Sequence, residues 1–446
     1  MNITQPFYRI AVMYTYSESG YPLSFRANEA KELAEHIKHN RHIELVGMKR
    51  VGISNFLRFF LYNKAVSKKY LGKNSRHILI PVDLLDLIDQ EIYPFWLLTL
   101  KRIDDVVRSS EIDEEIANKI SHLFEKAIQI KDLFFTLDCI RQSLHLLAKE
   151  NYYPTIFFIR FDRIAHSITP ETFGNLQGLV NASNHKLTYV FTSVRRLHNL
   201  KPEVFEKTFM SVFSHEIFLQ PANDTDSEII FETLKKKYNL TFDKKIHDTI
   251  ISLCKGHVQY LQLSLIILSE HKRAKHLNAN AVSELIKKDE RVLLQTEEIV
   301  ASLKEIEKET LYKILSNKNI DAETRIEARY IWNVGIVKKK GNTWELFCPL
   351  FSEYIQGKIL DGIKNGEYFL TKKENMLFNL LKKYENQICE RDAIIETVWH
   401  EFNEIGVSDW AVDRLVARLR KKLDLSKSEY KINTIRTRGF MIGKEN

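Results

Sequence analysis

The chain has little of what marks a disulfide-stapled, metal-stapled or membrane-spanning protein. Its four cysteines, Cys139, Cys254, Cys348 and Cys389, lie far apart without a C-x-x-C pair, which argues against a zinc ribbon and a disulfide framework. No run reaches the roughly 18 apolar residues that a transmembrane helix requires. The 15 histidines also lack the paired spacing of metal ligands. We therefore predict no metal site and no contact with a membrane.

Targeting and linker signals are absent as well. The polar residues 1–6 carry no secretory pattern, so we expect a cytoplasmic protein. No Gly/Ser-rich or Pro-rich linker interrupts residues 290–365, and there is no internal repeat. The modest net charge of +8 favours an anionic partner. The length of 446 residues predicts several folding units.

A phosphate-binding loop near the start of the chain lacks its lysine. Residues 45–54 read LVGMKRVGIS, so that Gly47 and Gly52 have Walker A spacing, while Ile53 replaces the lysine and Ser54 keeps the hydroxyl position for Mg²⁺. An apolar strand-like run precedes the loop and a helix-like run follows it. Backbone N–H groups could still hold ATP or ADP through Gly47, Gly52, Ser54 and Asn55. The simpler alternative is a strand–helix turn that binds no nucleotide.

The second half of a nucleotide site is also incomplete. Residues 155–163 form an apolar run that ends in IRFDR, where an active ATPase carries the Asp-Glu pair that holds Mg²⁺ and polarises water. In one register Ile159 and Arg160 occupy these two positions. In the other, Asp162 is the aspartate and Arg163 replaces the glutamate. Both registers lack the catalytic acid, and no catalytic residue is predicted.

Residues 25–290 nevertheless resemble the core of AAA+ ATPases of the STAND and origin-recognition types. The run at 155–163 is similar to their D-E-F-D-R strand, residues 187–197 to the sensor-1 strand, and residues 254–261 to the G-G-H-P-Y-L-L segment that opens the last lid helix. The resemblance implies a degenerate α/β P-loop core with a helical lid. Residues 293–362 resemble the winged helix that follows the lid in these proteins.

The C-terminal residues 368–442 resemble the OmpR-type winged helix of response regulators. Four segments match in order, at residues 369–381, 391–399, 412–423 and 432–440. The third is the recognition helix, in which Val412, Val416, Leu419 and Leu423 recur at helical spacing. Between residues 409 and 440 there are nine Lys or Arg against four acids. Trp410 and Leu415 depart from the family at base-reading places, so the target sequence is not carried over.

The basic residues of this domain are the candidate contacts with double-stranded DNA. A major groove accepts one helix, where Arg contacts phosphates or pairs with guanine. The alternative is a basic face that is merely solvated. The predicted contacts are Arg414, Arg418, Arg420, Lys421 and Lys422 on the helix and Thr434, Arg436 and Arg438 on the wing.

Together these patterns predict an α/β P-loop (AAA+-like) core with a helical lid, followed by two small winged-helix domains. The expected boundaries are 1–205 for the core, 206–292 for the lid, 293–362 for a packing domain and 363–446 for the DNA-binding domain. We expect the protein to be a sequence-specific DNA-binding regulator of transcription. Its first module is expected to bind nucleotide without hydrolysis, if at all, and to sense a ligand, assemble as a homo-oligomer or bind a protein partner. The alternative is an active AAA+/STAND switch ATPase acting on DNA in replication initiation or defence.

Overall fold

The computed structural model describes residues 16–72, 76–205, 215–271, 277–341, 343–365, 370, 372–399, 409–425, 428–435 and 438–444. The chain forms two compact units. The first comprises Met1–Gln295 with Asn333–Ile336, and the second comprises Thr296–Trp332 with Val337–Asn446. Within the described residues, no helix combines the length and apolar character needed to cross a membrane.

The first unit alternates strands and helices. Its described strands are β1 (Ile43–Gly47), β2 (His77–Asp83), β3 (Tyr153–Ile159), β4 (Thr188–Ser193) and β5 (His215–Leu219). Its described helices are α1 (Ala27–Lys38), α2 (Ile53–Tyr62), α3 (Lys64–Tyr70), α4 (Ile92–Ser109), α5 (Glu114–Ile130), α6 (Leu133–Lys149), α7 (Pro170–Ala182), α8 (Leu197–Leu200), α9 (Pro202–Phe205), α10 (Asp224–Lys237), α11 (Lys244–Cys254), α12 (Val258–Glu270), α13 (Ala279–Lys288) and the start of α14 (Glu290–Ala301).

The five strands form one parallel sheet in the order β2-β3-β4-β1-β5. All five residues of β1 are buried, as expected for a central strand covered by helices on both faces. The chain leaves β1 and crosses to the far edge of the sheet at β2, so the strand order reverses beside β1. Ligands of open α/β sheets bind at such a point, beyond the carboxyl ends of the strands. The loop at residues 48–52 lies at this edge.

Helices α4, α5 and α6 form an insertion between β2 and β3. Their apolar faces, with Phe95 and Trp96 of α4, share one buried core with Phe158 and Tyr189 of the sheet. The rings of Phe95 and Phe158 are tilted against each other, with centroids 5.0 Å apart. Asp113 begins α5 by accepting a hydrogen bond from the backbone N–H of Glu115, which satisfies one of the free donors of a helix start.

The second unit contains a helical segment with one hairpin, followed by a small three-stranded domain. Its described elements are α15 (Glu305–Leu315), α16 (Ala322–Glu327), α17 (Tyr330–Asn333), the antiparallel pair β6 (Val337–Lys340) and β7 (Thr343–Leu346), α18 (Pro349–Asn365), α19 (Lys372–Lys383), β8 (Cys389–Glu390), α20 (Arg391–Val398), α21 (Asp409–Leu425), β9 (Tyr430–Ile435) and β10 (Gly439–Lys444). The last three strands pair in the order β8-β10-β9. Helices α19, α20 and α21 share one apolar core with this sheet.

The predicted fold class is confirmed. The first unit carries the parallel α/β sheet with helices, and the chain ends in a winged helix with α21 as its longest helix. The four domain boundaries given above remain predictions.

Candidate functional site

Helix α21 presents one apolar face and one polar face. The predicted stripe of Val412, Val416, Leu419 and Leu423 is buried. Leu415 is also buried, with 1 % of its surface exposed, so this departure from the family pattern belongs to the core rather than to a base-reading face. The opposite face consists of the exposed residues Asp413, Arg414, Ala417 and Arg418. Arg414 and Arg418 are therefore on the exposed face of the helix, and their contact with DNA stays a prediction.

Arg420 links the helix to the wing. Its Nε donates a hydrogen bond of 2.8 Å to the carbonyl oxygen of Ile432, and its Nη2 donates one of 2.7 Å to Thr434 Oγ1. Its guanidinium also lies over the ring of Phe440, 5.8 Å from the centroid. The sequence predicted a phosphate contact for Arg420 and a DNA contact for Thr434. In the structure the two residues contact each other and fix the angle between α21 and strand β9.

Arg391 plays a similar part at the start of α21, and sequence reasoning missed it. Its Nη2 lies 2.6 Å from Asp413 Oδ1, and its Nη1 lies 3.4 Å from Asp409 Oδ1. These contacts offset two of the acids that would repel a phosphate backbone. Arg391 stands in a matched segment of the sequence, but its partners follow 18 and 22 residues later.

The remaining predicted contacts belong to the wing and to the end of α21. Arg438 is exposed at the turn between β9 and β10. Arg436 lies outside the described residues, and so do the side chains of Lys421, Lys422 and Trp410. In the part of the domain that the structure describes, Arg414, Arg418, Arg420, Thr434 and Arg438 are the predicted contacts that can be placed.

The loop with Walker A spacing connects β1 to α2 through glycines in confined positions. Gly52 precedes the first residue of α2 and has a φ of +114°, a conformation that favours glycine. A Cβ atom at Gly52 would lie 2.4 Å from Val258 Cγ2, and one at Gly47 would lie 2.9 Å from Val51 Cγ1. The start of α12 therefore packs directly on the loop.

Arg160 reaches the serine of this loop from the end of β3. Its Nη2 donates a hydrogen bond of 3.2 Å to Ser54 Oγ, and its Nη1 forms an ion pair with Asp83 at the end of β2. The backbone N–H of Arg160 donates to Thr192 Oγ1 over 2.9 Å. The sequence left two registers open. In the structure Arg160, which stands at the glutamate position of the first register, lies beside Ser54 Oγ, the hydroxyl position that holds Mg²⁺ in active ATPases.

Asn55 also has a partner inside the protein. Its Nδ2 donates a hydrogen bond of 2.9 Å to Glu18 Oε1, which lies 3.3 Å from Arg58 Nη1 as well. The side chain of Glu18 is buried. Glu18 lies outside every matched segment, and no signal in the sequence pointed to it. Each of the four candidate nucleotide contacts, Gly47, Gly52, Ser54 and Asn55, therefore packs against or bonds with another part of the chain.

His257 connects the lid segment to the same loop. Its Nδ1 accepts from the backbone N–H of Tyr260 at the start of α12, and its Nε2 lies 3.1 Å from the carbonyl oxygen of Lys49. Burial lowers the pKa of His257 to about 4. The ring is therefore neutral at pH 7, and the tautomer that fits both contacts carries its proton on Nε2. Among the described residues, no cluster of His, Cys, Asp and Glu could hold a metal ion.

Comparison with known proteins assigns residues 365–442 to a protein family. Residues 365–442 match the family model of the transcriptional regulatory protein, C terminal. The response regulator protein GraR of Staphylococcus aureus strain Mu50 is 37 % identical over 83 residues, which are 18 % of this chain and 36 % of that protein. The same protein of strain JH9 matches to the same extent. The chain thus spans about a third of the length of these relatives.

Solved structures are similar to larger parts of the chain but at low scores. A Walker-type ATPase of Pyrococcus abyssi has a TM-score of 0.47 at 13 % identity and covers 74 % of this chain and 95 % of its own. The ORC2 protein of Aeropyrum pernix has a TM-score of 0.44 at 14 % identity, covering 76 % and 96 %. The order of the sheet itself, rather than these scores, supports the fold assigned above. Residues 365–442 form a domain of the transcriptional regulatory protein C-terminal family.

Proposed function

We propose that this protein is a sequence-specific regulator that binds double-stranded DNA, and that it acts on transcription in the cytoplasm. The observation that carries the proposal is the exposed pair Arg414 and Arg418 on α21, beside the Arg420–Thr434 contact that sets the angle of the wing. A helix in the major groove with a wing at its side brings base-edge and phosphate contacts to one surface.

Arg391 supports the same function through charge. Its contacts with Asp409 and Asp413 reduce the repulsion that these two carboxylates exert on phosphate. Most of the affinity of a DNA-binding domain comes from such phosphate electrostatics, whereas base contacts provide the specificity. We therefore assign phosphate binding to Arg418 and base reading to Arg414.

The core of the first unit serves this regulator without hydrolysing ATP. Phosphoryl transfer requires a bound Mg²⁺ and a cation on the γ-phosphate. Here the guanidinium of Arg160 donates a hydrogen bond to the hydroxyl of Ser54, and Asp83 is paired with the same guanidinium. A positive charge at this position repels a divalent cation. The module then acts as a sensor, as a homo-oligomer or as a platform for a protein partner.

The test uses the purified full-length protein. Selection from a random duplex pool should yield a preferred site, and binding to it should weaken steeply with salt. In parallel, ATP turnover is measured with and without that duplex. Salt-sensitive, site-selective binding without turnover supports the proposal. Turnover that duplex stimulates would favour the alternative, an active AAA+/STAND switch ATPase acting on DNA.

A further inference from the structure

A groove on the first unit combines an apolar floor with a basic rim. It encloses about 570 Å³ between α5, α6 and the last residue of α7, a volume within the range of binding pockets. Leu123 and Leu146 form the floor and pack against the core. Lys119, His122, Arg141 and His145 stand around it. Such a lining fits an apolar side chain that is flanked by carboxylates.

Among the described residues, the two permanent cations of the rim form local surface pairs. Lys119 Nζ lies 2.5 Å from Glu115 Oε1, and Arg141 Nη1 lies 3.4 Å from Asp138 Oδ1. All four side chains are more than a third exposed. Pairs of this kind contribute little to stability because water and salt screen them, so that carboxylates of a binding partner could take over these cations at little cost.

A segment with the complementary character follows β2. In residues 84–91, Ile88 has 96 % of its surface exposed and Leu85 has 56 %. Asp86 and Asp89 flank Ile88 and are exposed as well. We call this segment the acidic loop. Its exposed apolar residues lie between carboxylates, as the groove would require of its occupant.

The acidic loop is fixed at both ends, so its exposed isoleucine does not result from a loose chain. Arg163 Nε donates to the carbonyl oxygen of Leu84 over 3.1 Å, and Ser167 Oγ donates to that of Gln90 over 2.7 Å. Leu87 is buried in the core. A loop that is already ordered loses little conformational entropy on binding. This favours a docking role for Ile88.

We propose that the acidic loop of one copy of this protein docks into the groove of a second copy. Ile88 would enter the apolar floor, and Asp86 and Asp89 would face Lys119 and Arg141. Asp86 would exchange its surface pair with Arg102, in which Oδ2 lies 2.6 Å from Nη2, for one of these cations. This rests on and deepens the proposed function, in which a homo-oligomer is one of three roles of the core, by naming the two surfaces of that assembly.

The sheet keeps the two surfaces of one copy apart. The acidic loop follows the carboxyl end of β2, whereas the groove lies near the ends of α6 and α7, which lead into the amino ends of β3 and β4. The seven residues of β2 alone span roughly 20 Å. A copy therefore cannot fill its own groove. Two copies can exchange this contact reciprocally in a dimer, and one-way repetition of it produces a ring or an open chain.

The experiment is sedimentation velocity of the full-length protein over a wide concentration range, without DNA or nucleotide. The wild type should form dimers or larger assemblies as its concentration rises. Ile88→Ser should weaken association roughly tenfold to a hundredfold. Arg141→Glu and Asp89→Arg should each weaken it too, and an equimolar mixture of these two variants should regain part of the assembly because their charges are again complementary.

Two matched variants serve as controls. Ile326→Ser removes an isoleucine that is 67 % exposed in the second unit, and Lys288→Glu reverses an exposed cation that pairs with Glu284 on its own helix. Both should leave assembly unchanged, and all variants should keep the wild-type melting temperature. A wild type that stays monomeric at hundreds of micromolar, or an assembly indifferent to Ile88→Ser and Arg141→Glu, overturns the proposal. Because DNA is absent, neither result bears on DNA binding.

Discussion

The guanidinium of Arg160 donates a hydrogen bond to Ser54 Oγ at 3.2 Å, although 106 residues separate the two. The hydroxyl at that position of a P-loop normally holds Mg²⁺. Arg160 itself stands where one register of the sequence places a catalytic acid. A single residue thus stands in place of the acid in that register and also bonds the hydroxyl of Ser54. We therefore expect two requirements of hydrolysis to be missing at one point.

We predict that the wild-type protein does not hydrolyse ATP above background. Ile53→Lys alone should improve ATP binding more than turnover, because it restores the phosphate cation but not the metal anchor. The combination of Ile53→Lys with Ile159→Asp and Arg160→Glu should raise turnover further. Nucleotide binding is followed by calorimetry and turnover by phosphate release. Wild-type turnover that Ser54→Ala abolishes would falsify this prediction.

Arg418→Ala should weaken DNA binding to a similar extent on all duplexes. Removing one phosphate contact should also lower the slope of log affinity against log salt by about one. Arg414→Ala should instead cost about 1–3 kcal/mol on the preferred site and relax selection at one base pair. Fluorescence anisotropy at several salt concentrations measures both effects. The control, Lys288→Ala, should change neither, and equal losses for Arg414→Ala on specific and random duplexes would contradict the assignment.

Arg420→Lys should separate the structural role of this residue from its charge. Lysine keeps the charge but cannot make both hydrogen bonds of the planar guanidinium. Loss of one such bond costs about 1 kcal/mol, which corresponds to roughly fivefold faster hydrogen exchange in β9. Hydrogen–deuterium exchange with mass spectrometry resolves that strand. Arg418→Lys should leave exchange in β9 unchanged. If both variants behave alike, the contact with Thr434 does not stabilise the wing.

The free energy of unfolding of the first unit should fall as the pH rises, because Glu44 loses its proton. This residue of β1 is 3 % exposed, and its Oε2 accepts from the backbone N–H of Leu197 at 2.7 Å. Burial raises the pKa of Glu44 to about 7. The folded protein therefore binds this proton more tightly than the unfolded chain does. The stabilisation that the protonated carboxyl of Glu44 contributes is fully present below pH 4.5 and is lost as the pH rises through about 7.

Glu44→Gln should accordingly flatten the stability profile between about pH 4.5 and pH 7.5, with an effect on the order of 3 kcal/mol. The glutamine oxygen can still accept from Leu197. Urea unfolding at a series of pH values gives the profile. Glu232→Gln, on the surface beside Lys235, is the control and should leave the slope as in the wild type. An unaltered profile for Glu44→Gln would show that this carboxyl does not govern it.

Gly256→Ala should destabilise the first unit by about 3 kcal/mol. Gly256 has a φ of +80°, and a Cβ atom there would lie 1.9 Å from the carbonyl oxygen of Ala222, so that backbone must move. Gly174→Ala is the matched control. Gly174 lies within α7 with no atom within 4 Å of its Cβ position, and alanine there should stabilise by about 0.5–1 kcal/mol. Thermal unfolding of the two variants checks both signs, and similar melting temperatures would refute the prediction.

The sequence by itself determined the features that depend on neighbouring residues. The buried stripe of α21 follows from helical spacing, because residues three and four apart share a face. The loop between Gly47 and Gly52 follows from the spacing of its glycines. The absence of the loop lysine is visible directly in the letters. These are local properties, and the structure confirms the fold class that they indicate.

Only the tertiary structure decided which residues meet. The parallel sheet brings the carboxyl ends of β2, β3 and β4 to the same edge as the end of β1, and Arg160 there contacts Asp83, Thr192 and Ser54. Arg420 meets Thr434 because the wing folds back on α21, and Glu18 meets Asn55 from outside every motif. Spacing along a chain cannot encode such contacts, since they depend on how distant segments pack together. For the same reason, the chemistry at Ser54 could be read only from the folded protein.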